Sequence, residues 1–415
     1  MRLKASQAHY QKPDRRKTMK IAKRMEHIKP SPTLAVAAKA KAMKAEGIDV
    51  IGFGAGEPDF DTPDHIKQAA IAAIKSGFTK YTPAGGTEEL KQAVAAKLQR
   101  DNSLEYKTSE ILISCGAKHS LYNAFQALLS EGDEIIIPAP YWVSYPDMAY
   151  LAGAVPITLE TSDQSGFKVT PAQVRAAITP RTRAFILNSP SNPTGAAYSA
   201  TELQALADVF IGTDIMIISD EIYESLTYDG YASTSIVTVE PRLKEQALVI
   251  NGVSKTYSMT GWRIGYTAGP TTVIKAMSNI QSQSTSNPTS IAQKAAVEAL
   301  TGPQDCIAKM LQAFDKRRTY MVKRLNAIEG FSCNIPKGAF YTFPNISGVF
   351  GKKSGKTVIQ GSSDLATVLL DTARVSVVAG SPFGADGNIR LSYATSFENI
   401  EKGLDRIEAF VKTLT

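Results

Sequence analysis

Five short apolar runs, separated by stretches of helical patterning, constrain this chain more than anything else in it. They are Ile111-Leu112-Ile113, Ile135-Ile136-Ile137 in the strand that Glu134 opens and Pro138 closes, Ala184-Phe185-Ile186-Leu187, Ile215-Met216-Ile217-Ile218 and Ala247-Leu248-Val249-Ile250. Unbroken apolar runs this short are the mark of strands covered on both faces. Thr62-Pro63 opens a helical stretch with Ile66, Ala70 and Ile74 on one face. Leu90, Val94 and Leu98 mark a second helix, and Leu121, Phe125 and Leu128 a third. Ser199-Ala200-Thr201-Glu202 is a capping box ahead of Leu203, Leu206 and Val209. The order predicts an α/β fold with a mainly parallel sheet between helices.

At 415 residues and 43% hydrophobic, the chain exceeds one compact core, so two domains are expected. Residues 65–325 read as the large domain. After about residue 330 the character changes: Gly338 to Phe343 and Asn388 to Tyr393 read as strands, 363–372 and 398–413 as helices. Residues 326–415, joined by 19–64, are expected to form a smaller α/β domain drawn from both chain ends. No internal repeat or flexible linker interrupts this plan.

The net charge of +7 is concentrated at the start. Residues 1–29 hold ten Lys/Arg and two Asp/Glu, leaving 36 basic against 37 acidic groups in the rest. A nucleic-acid protein spreads basic charge over a folded face, so no nucleic-acid partner is expected. Residues 1–18 read as a disordered basic tail, with Met19 a second possible start. Asp14 and Pro13 interrupt any targeting pattern there. No run reaches the roughly 18 apolar residues of a membrane helix. Cys115, Cys306 and Cys333 form no CxxC pair, which points to a reducing cytoplasm. The four scattered histidines offer no metal site.

Polar groups follow the strand ends. Gly116-Ala117-Lys118, Asn192, Asp220 and Lys255 each come just after an apolar run, where open α/β sheets bind ligands. Lys255 sits in Val253-Ser254-Lys255-Thr256-Tyr257-Ser258-Met259-Thr260-Gly261-Trp262-Arg263. A lysine amine, a carboxylate at a strand end and a serine–arginine anion cradle are what pyridoxal 5′-phosphate needs. The amine forms a Schiff base, Asp220 keeps the ring nitrogen protonated, and Ser254 with Arg263 balances the phosphate.

Over residues 25–415 the chain resembles the class I aminotransferases of the fold-type I, pyridoxal-phosphate-dependent group. It is most similar to bacterial subgroup Ib aspartate aminotransferases, some of which also transaminate prephenate. The strings that carry the resemblance are Gly54-Ala55-Gly56-Glu57-Pro58-Asp59-Phe60, Lys80-Tyr81-Thr82-Pro83, Pro140 to Pro146, Asn188 to Gly195, Ser219-Asp220-Glu221-Ile222-Tyr223 and the lysine segment. Their shared order and spacing make chance agreement improbable.

The resemblance implies roles for individual residues. Lys255 would carry the cofactor and then move the substrate proton. Asp220 would pair with the ring nitrogen, Tyr223 and Asn192 with the ring oxygen, and Trp142 would stack on the ring. Gly116, Ala117 and Lys118, with Ser254 and Arg263, would hold the phosphate. Tyr81 would reach the phosphate in a neighbouring subunit, making the active unit a homodimer with shared sites. Arg390 would clamp the substrate α-carboxylate, and Gly56 would let the backbone approach it. Lys118, with Lys29 and Thr33, would serve the distal carboxylate. The implied reaction is L-aspartate plus 2-oxoglutarate giving oxaloacetate plus L-glutamate, with prephenate as a further acceptor.

Three other readings compete. Gly52-Phe53-Gly54-Ala55-Gly56 looks like a dinucleotide fingerprint, but Pro58 and Pro63 stand where its helix should begin. A non-catalytic cofactor-binding regulator would need a DNA-reading domain, and residues 1–29 are too short for one. A different fold-type I reaction, or a transaminase with another amino-acid preference, keeps the fold and changes the substrate.

Overall fold

The computed structural model describes residues 20–28 and 32–415, with the side chains of 32–37 excepted. The basic tail over 1–18 and the site residue Lys29 lie outside the described residues.

In chain order, β1 (Ile51–Gly52) comes first. Then follow β2 (Ile111–Ser114), β3 (Glu134–Pro138), β4 (Val155–Leu159), β5 (Thr182–Asn188), β6 (Met216–Asp220), β7 (Ala247–Gly252) and β8 (Gly265–Ala268). Toward the C-terminus lie β9 (Tyr341–Thr342), β10 (Lys353–Ser354), β11 (Thr357–Val358), β12 (Val375–Ser376), β13 (Val378–Ala379) and β14 (Ile389–Ser392). The main sheet has seven strands in the order β2-β8-β7-β6-β5-β3-β4. All neighbours pair in parallel except around β8, which runs antiparallel to both β2 and β7.

Side-chain alternation divides the strands between two cores. Leu112, Ile218 and Ile250 pack with the helix Ala117–Leu128 on one face. Ile113, Ile217 and Val249 face the helices Glu88–Asn102 and Ser290–Thr301 on the other. Both faces are dry, which is why these strands are apolar without a break. The capping box is formed: Ser199 accepts from the Glu202 N–H while Glu202 Oε2 accepts from the Ser199 N–H at 2.8 Å.

Two strands of the main sheet escaped the sequence pattern. Val155–Leu159 contains Pro156 and lies at the sheet edge, where a missing N–H costs no ladder bond. Gly265–Ala268 is too short and small to stand out, yet only glycine fits its first position. A Cβ on Gly265 would lie 2.2 Å from the Ala117 nitrogen.

The helix predicted after Thr62 spans Asp64–Lys75 and buries Ile66, Ala70 and Ala73. Ile74 is not on the buried face; it is 54% exposed, because the turn places Ala73 inward instead. The stretch expected to be helical over 363–372 is α-helical over Ser362–Val368 and widens into a π turn over Leu369–Ala373. Of the strand expected over 338–343, only Tyr341–Thr342 forms a strand, with Gly338 making an isolated bridge to Thr227.

The two ends of the chain meet. β1 pairs in parallel with β12, Ile51 opposite Val375, and the Ser392 N–H donates to the Phe53 carbonyl at 2.8 Å. β13, β14 and β9 make a three-stranded antiparallel sheet beside this junction, and the helix Phe397–Val411 covers it.

Candidate active site

A cleft of about 710 Å³ opens at the strand ends, lined by Gly54, Gly56, Lys118, Trp142, Asn192, Asp220, Tyr223, Ser254, Lys255, Arg263 and Arg390 among others. Residues scattered over more than 300 sequence positions thus share one cavity.

Asp220 ends β6, buried between the sheet and the cleft. Its Oδ2 accepts the Tyr145 hydroxyl at 2.6 Å and its Oδ1 the Ile222 N–H at 3.3 Å. Burial pushes this carboxyl up to about 6; the two donors and the Lys255 charge pull the other way and only partly offset it. A carboxylate in so dry a position is suited to a cationic partner in the cleft.

Lys255 follows β7 and is only partly covered, since its Nζ faces the cavity. Burial lowers its amine to about 8; Glu57 opposes this, while Arg390 and Arg263 reinforce it. The amine donates to the Gly56 carbonyl at 2.6 Å, across the cleft. A lysine depressed this far has a usable lone pair near neutral pH.

An anion cradle lies beside it. Gly116 takes φ 91° at the start of the helix Ala117–Leu128, and a Cβ there would lie 2.3 Å from Arg263 Nη2. The first-turn N–H groups of Ala117 and Lys118 have no intrahelical acceptor. Arg263, itself at φ 57°, donates to the carbonyls of Thr260 at 2.8 Å and Cys115 at 3.2 Å. Ser254 is buried on the cavity wall.

On the opposite wall, Arg390 projects from β14. Its Nη1 donates to Asn192 Oδ1 and its Nη2 to the Gly54 carbonyl, both at 2.9 Å. The Arg390 Nε is buried without a partner, and the guanidinium lies 4.5 Å from the Tyr341 ring centre. Tyr341 and Tyr223 share a hydroxyl–hydroxyl bond of 2.9 Å. Lys118 is exposed at the rim, its Nζ 4.6 Å above the Trp142 ring. Partial cover of its amine by the cleft wall and the nearby Arg263 charge lower its pKa, and Asp147 opposes them. A Cβ on Gly56 would come within 3.4 Å of the Tyr341 hydroxyl, so the backbone there is already close-packed.

Two expected site residues remain to be placed. Tyr81 is 92% exposed and does not line this cleft. Thr33 lies in the helix Pro32–Ala45, which reaches the cleft through Ala40, Lys41 and Lys44; its side chain is among those not described. Sequence reasoning missed Tyr145 and Tyr341. Each is a fully buried tyrosine whose hydroxyl needed a partner, the one signal that could have marked them.

The residues of the cleft suit one ligand. It must accept a covalent amine, a buried carboxylate and a helix-start anion cradle that a single methyl group would fill. Pyridoxal 5′-phosphate has an aldehyde, a basic ring nitrogen and a phosphate to match.

Residues 48–407 match the model of the aminotransferase class I and II family, and the chain belongs to that family. It is thus a transaminase, a pyridoxal-phosphate-dependent enzyme acting on small amino acids and 2-oxo acids. It is 53% identical to the aspartate aminotransferase of Geobacillus stearothermophilus over 394 residues, covering 95% of this chain and 99% of the relative. It is 51% identical to the aspartate/prephenate aminotransferase of Nitrosomonas europaea, covering 95% of this chain and 100% of the relative. The aspartate aminotransferase of Thermus thermophilus, solved with maleate, superposes with a TM-score of 0.89 at 43% identity. That match covers 94% of this chain and all of the other.

Proposed function

We propose that this enzyme transfers the amino group of L-aspartate to 2-oxoglutarate, and that prephenate also serves as acceptor. The observation that carries the reading is the pair of cations facing one cleft: Arg390, buried with an unsatisfied Nε, and Lys118 at the rim. A dicarboxylic substrate has an anion for each. The relatives named for aspartate, and the one solved with maleate, a dicarboxylate, support the same substrate class. The relative named for prephenate supports the second acceptor.

In this reading Lys255 carries the cofactor, with Asp220 at its ring nitrogen, Tyr223 and Asn192 at its ring oxygen and Trp142 against its face. Ser254, Arg263 and the amides of Gly116, Ala117 and Lys118 hold the phosphate. The bound cofactor supplies an electron sink for the bond to the substrate α-hydrogen. Arg390 fixes the α-carboxylate through its planar fork. Lys255 Nζ takes the proton from the substrate α-carbon, a task suited to an amine lowered to about 8. Lys118, with Lys29 and Thr33, selects the distal carboxylate. Gly56 brings the chain close over the substrate.

The assembly we propose is a cytoplasmic homodimer in which Tyr81, so exposed here, reaches the phosphate site of the second subunit. Residues 19–64 and 326–415 would form the smaller domain and 65–325 the larger, with 1–18 a basic tail.

Two measurements test this. Borohydride reduction of the holoenzyme should fix the cofactor on the peptide containing Lys255 and on none from Lys255→Ala. A single-turnover panel of 2-oxoglutarate, oxaloacetate and prephenate against the amino form of the enzyme should show all three reacting. Inertness toward prephenate would remove the second acceptor, and inertness toward 2-oxoglutarate would remove the main assignment.

A further inference from the structure

Behind the cleft, on the far side of the main sheet, lies a buried charged cluster that none of the chemistry above uses. Lys97, on the helix Glu88–Asn102, pairs with Glu224 and donates to Asn102 Oδ1 at 2.7 Å. Glu224 Oε2 also accepts from Asn102 Nδ2 at 2.7 Å. The side chains of Lys97 and Glu224 are 5% and 9% exposed. The other carboxylate near Lys97, Asp101, stands at 4.0 Å and is more open to solvent. Glu221 lies on the same side, with its Oε1 accepting from Ser219 Oγ at 2.8 Å and Ser235 Oγ at 2.7 Å. The rings of Tyr106, Tyr257 and Tyr266 belong to the same layer.

The chain alternates across this boundary. Asp220, Ile222 and Tyr223 line the cleft, whereas Glu221 and Glu224 reach back into the layer under the helix Glu88–Asn102. The stretch between is a tight turn, with the Glu224 N–H donating to the Glu221 carbonyl at 2.9 Å and the Leu226 N–H to the Tyr223 carbonyl at 2.8 Å. Glu224 is therefore the rear anchor of the residue beside it. Both of its oxygens are held by one helix, so a shift of that anchor is passed to Tyr223 by a single peptide unit. Two unlike charges withdrawn from water persist only when each keeps its partner.

We propose that Lys97 is a positioning residue: through its ion pair with Glu224 it fixes, from behind the sheet, the turn that presents Asp220 and Tyr223 to the cofactor. The inference rests on the reading of those two residues as cofactor partners. That partnership sets the protonation of the bound cofactor, so the pair governs a property that fold stability alone does not touch.

The test uses the holoenzyme and the pH midpoint of its visible absorbance, followed with kcat and KM for aspartate. In Lys97→Met the midpoint should move by about half a unit or more, and kcat should fall about tenfold with KM changed about twofold or less. Lys97→Arg, which keeps a cation and its donors, should stay near wild type. If Lys97→Met does not fold, Lys97→Met/Glu224→Met places an apolar pair there, and any folded variant lacking the ion pair should show the shift. A folded variant with the wild-type midpoint and kcat, changed only in melting temperature, would overturn the proposal. A wild-type protein that gains no visible absorbance from the cofactor at any pH would instead overturn the cofactor reading beneath it.

Discussion

Tyr145 donates its hydroxyl to Asp220 Oδ2 at 2.6 Å, and both groups are buried. The bond holds one carboxylate oxygen while the other accepts a backbone N–H, leaving Asp220 a fixed orientation toward the cleft. It also stabilises the ionised carboxylate against the burial that pushes it up to about 6. Tyr145→Phe removes that support, so the Asp220 carboxyl should rise further. Activity that needs the carboxylate would then be lost at higher pH, moving the acidic limb of the kcat/KM profile upward. An unmoved limb would mean that the tyrosine does not tune the acid.

Asp220 carries a stability cost in the cofactor-free protein. Between the ordinary carboxylate range and about 6, the folded state holds a proton that the unfolded chain has released. Stability therefore falls as pH rises through that window, by about 2–3 kcal/mol in all. Asp220→Asn should raise the apoprotein melting temperature at pH 7.5 and not at pH 4, while transamination falls about a hundredfold or more. Equal melting shifts at both pH values would contradict this.

Lys118 should discriminate between substrates. In the proposed role of Lys118, Lys118→Ala removes a contact to the distal carboxylate worth about 1.5–3 kcal/mol. We expect kcat/KM for aspartate and 2-oxoglutarate to fall about ten- to hundredfold, and that for alanine far less. Losses of equal size would place the lysine at the phosphate alone.

Gly116→Ala should act on cofactor affinity. The new methyl would meet the Arg263 guanidinium at 2.3 Å, and φ 91° strains any side chain. Titration of the apoprotein with pyridoxal 5′-phosphate should show a dissociation constant raised about tenfold or more. Unchanged affinity would mean that the arginine yields without loss.

Much of the architecture was readable because buried parallel strands announce themselves. Ile217-Ile218 or Val249-Ile250 can be little else between two helices. The polar residues just past those strands were readable for the same reason, and Asp220 and Lys255 do face one cleft. Gly265–Ala268 was not, because its role depends on fitting against Ala117, which no local pattern records. Tyr145 and Tyr341 hid among aromatics that read as core, since their partners lie 75 and 118 residues away. Ile74 misled in the opposite direction: its spacing suits the buried face, but the small Ala73 took the inward place.

The short ladder between Ile51–Gly52 and Val375–Ser376 has a consequence for how the enzyme is made. Gly54 lies two residues past β1, and Arg390 Nη2 on β14 donates to its carbonyl at 2.9 Å, so this contact forms only once the C-terminal strands stand beside β1. A ribosome delivers the first of these partners hundreds of residues before the second. The sheet of β2 to β8 can assemble while synthesis continues, as domains do during translation, but the Arg390 guanidinium, the proposed carboxylate clamp, is among the last parts to arrive. A nascent polypeptide halted before Arg390 would have the lysine and lack the proposed clamp, so in that reading catalytic competence belongs to the finished molecule alone.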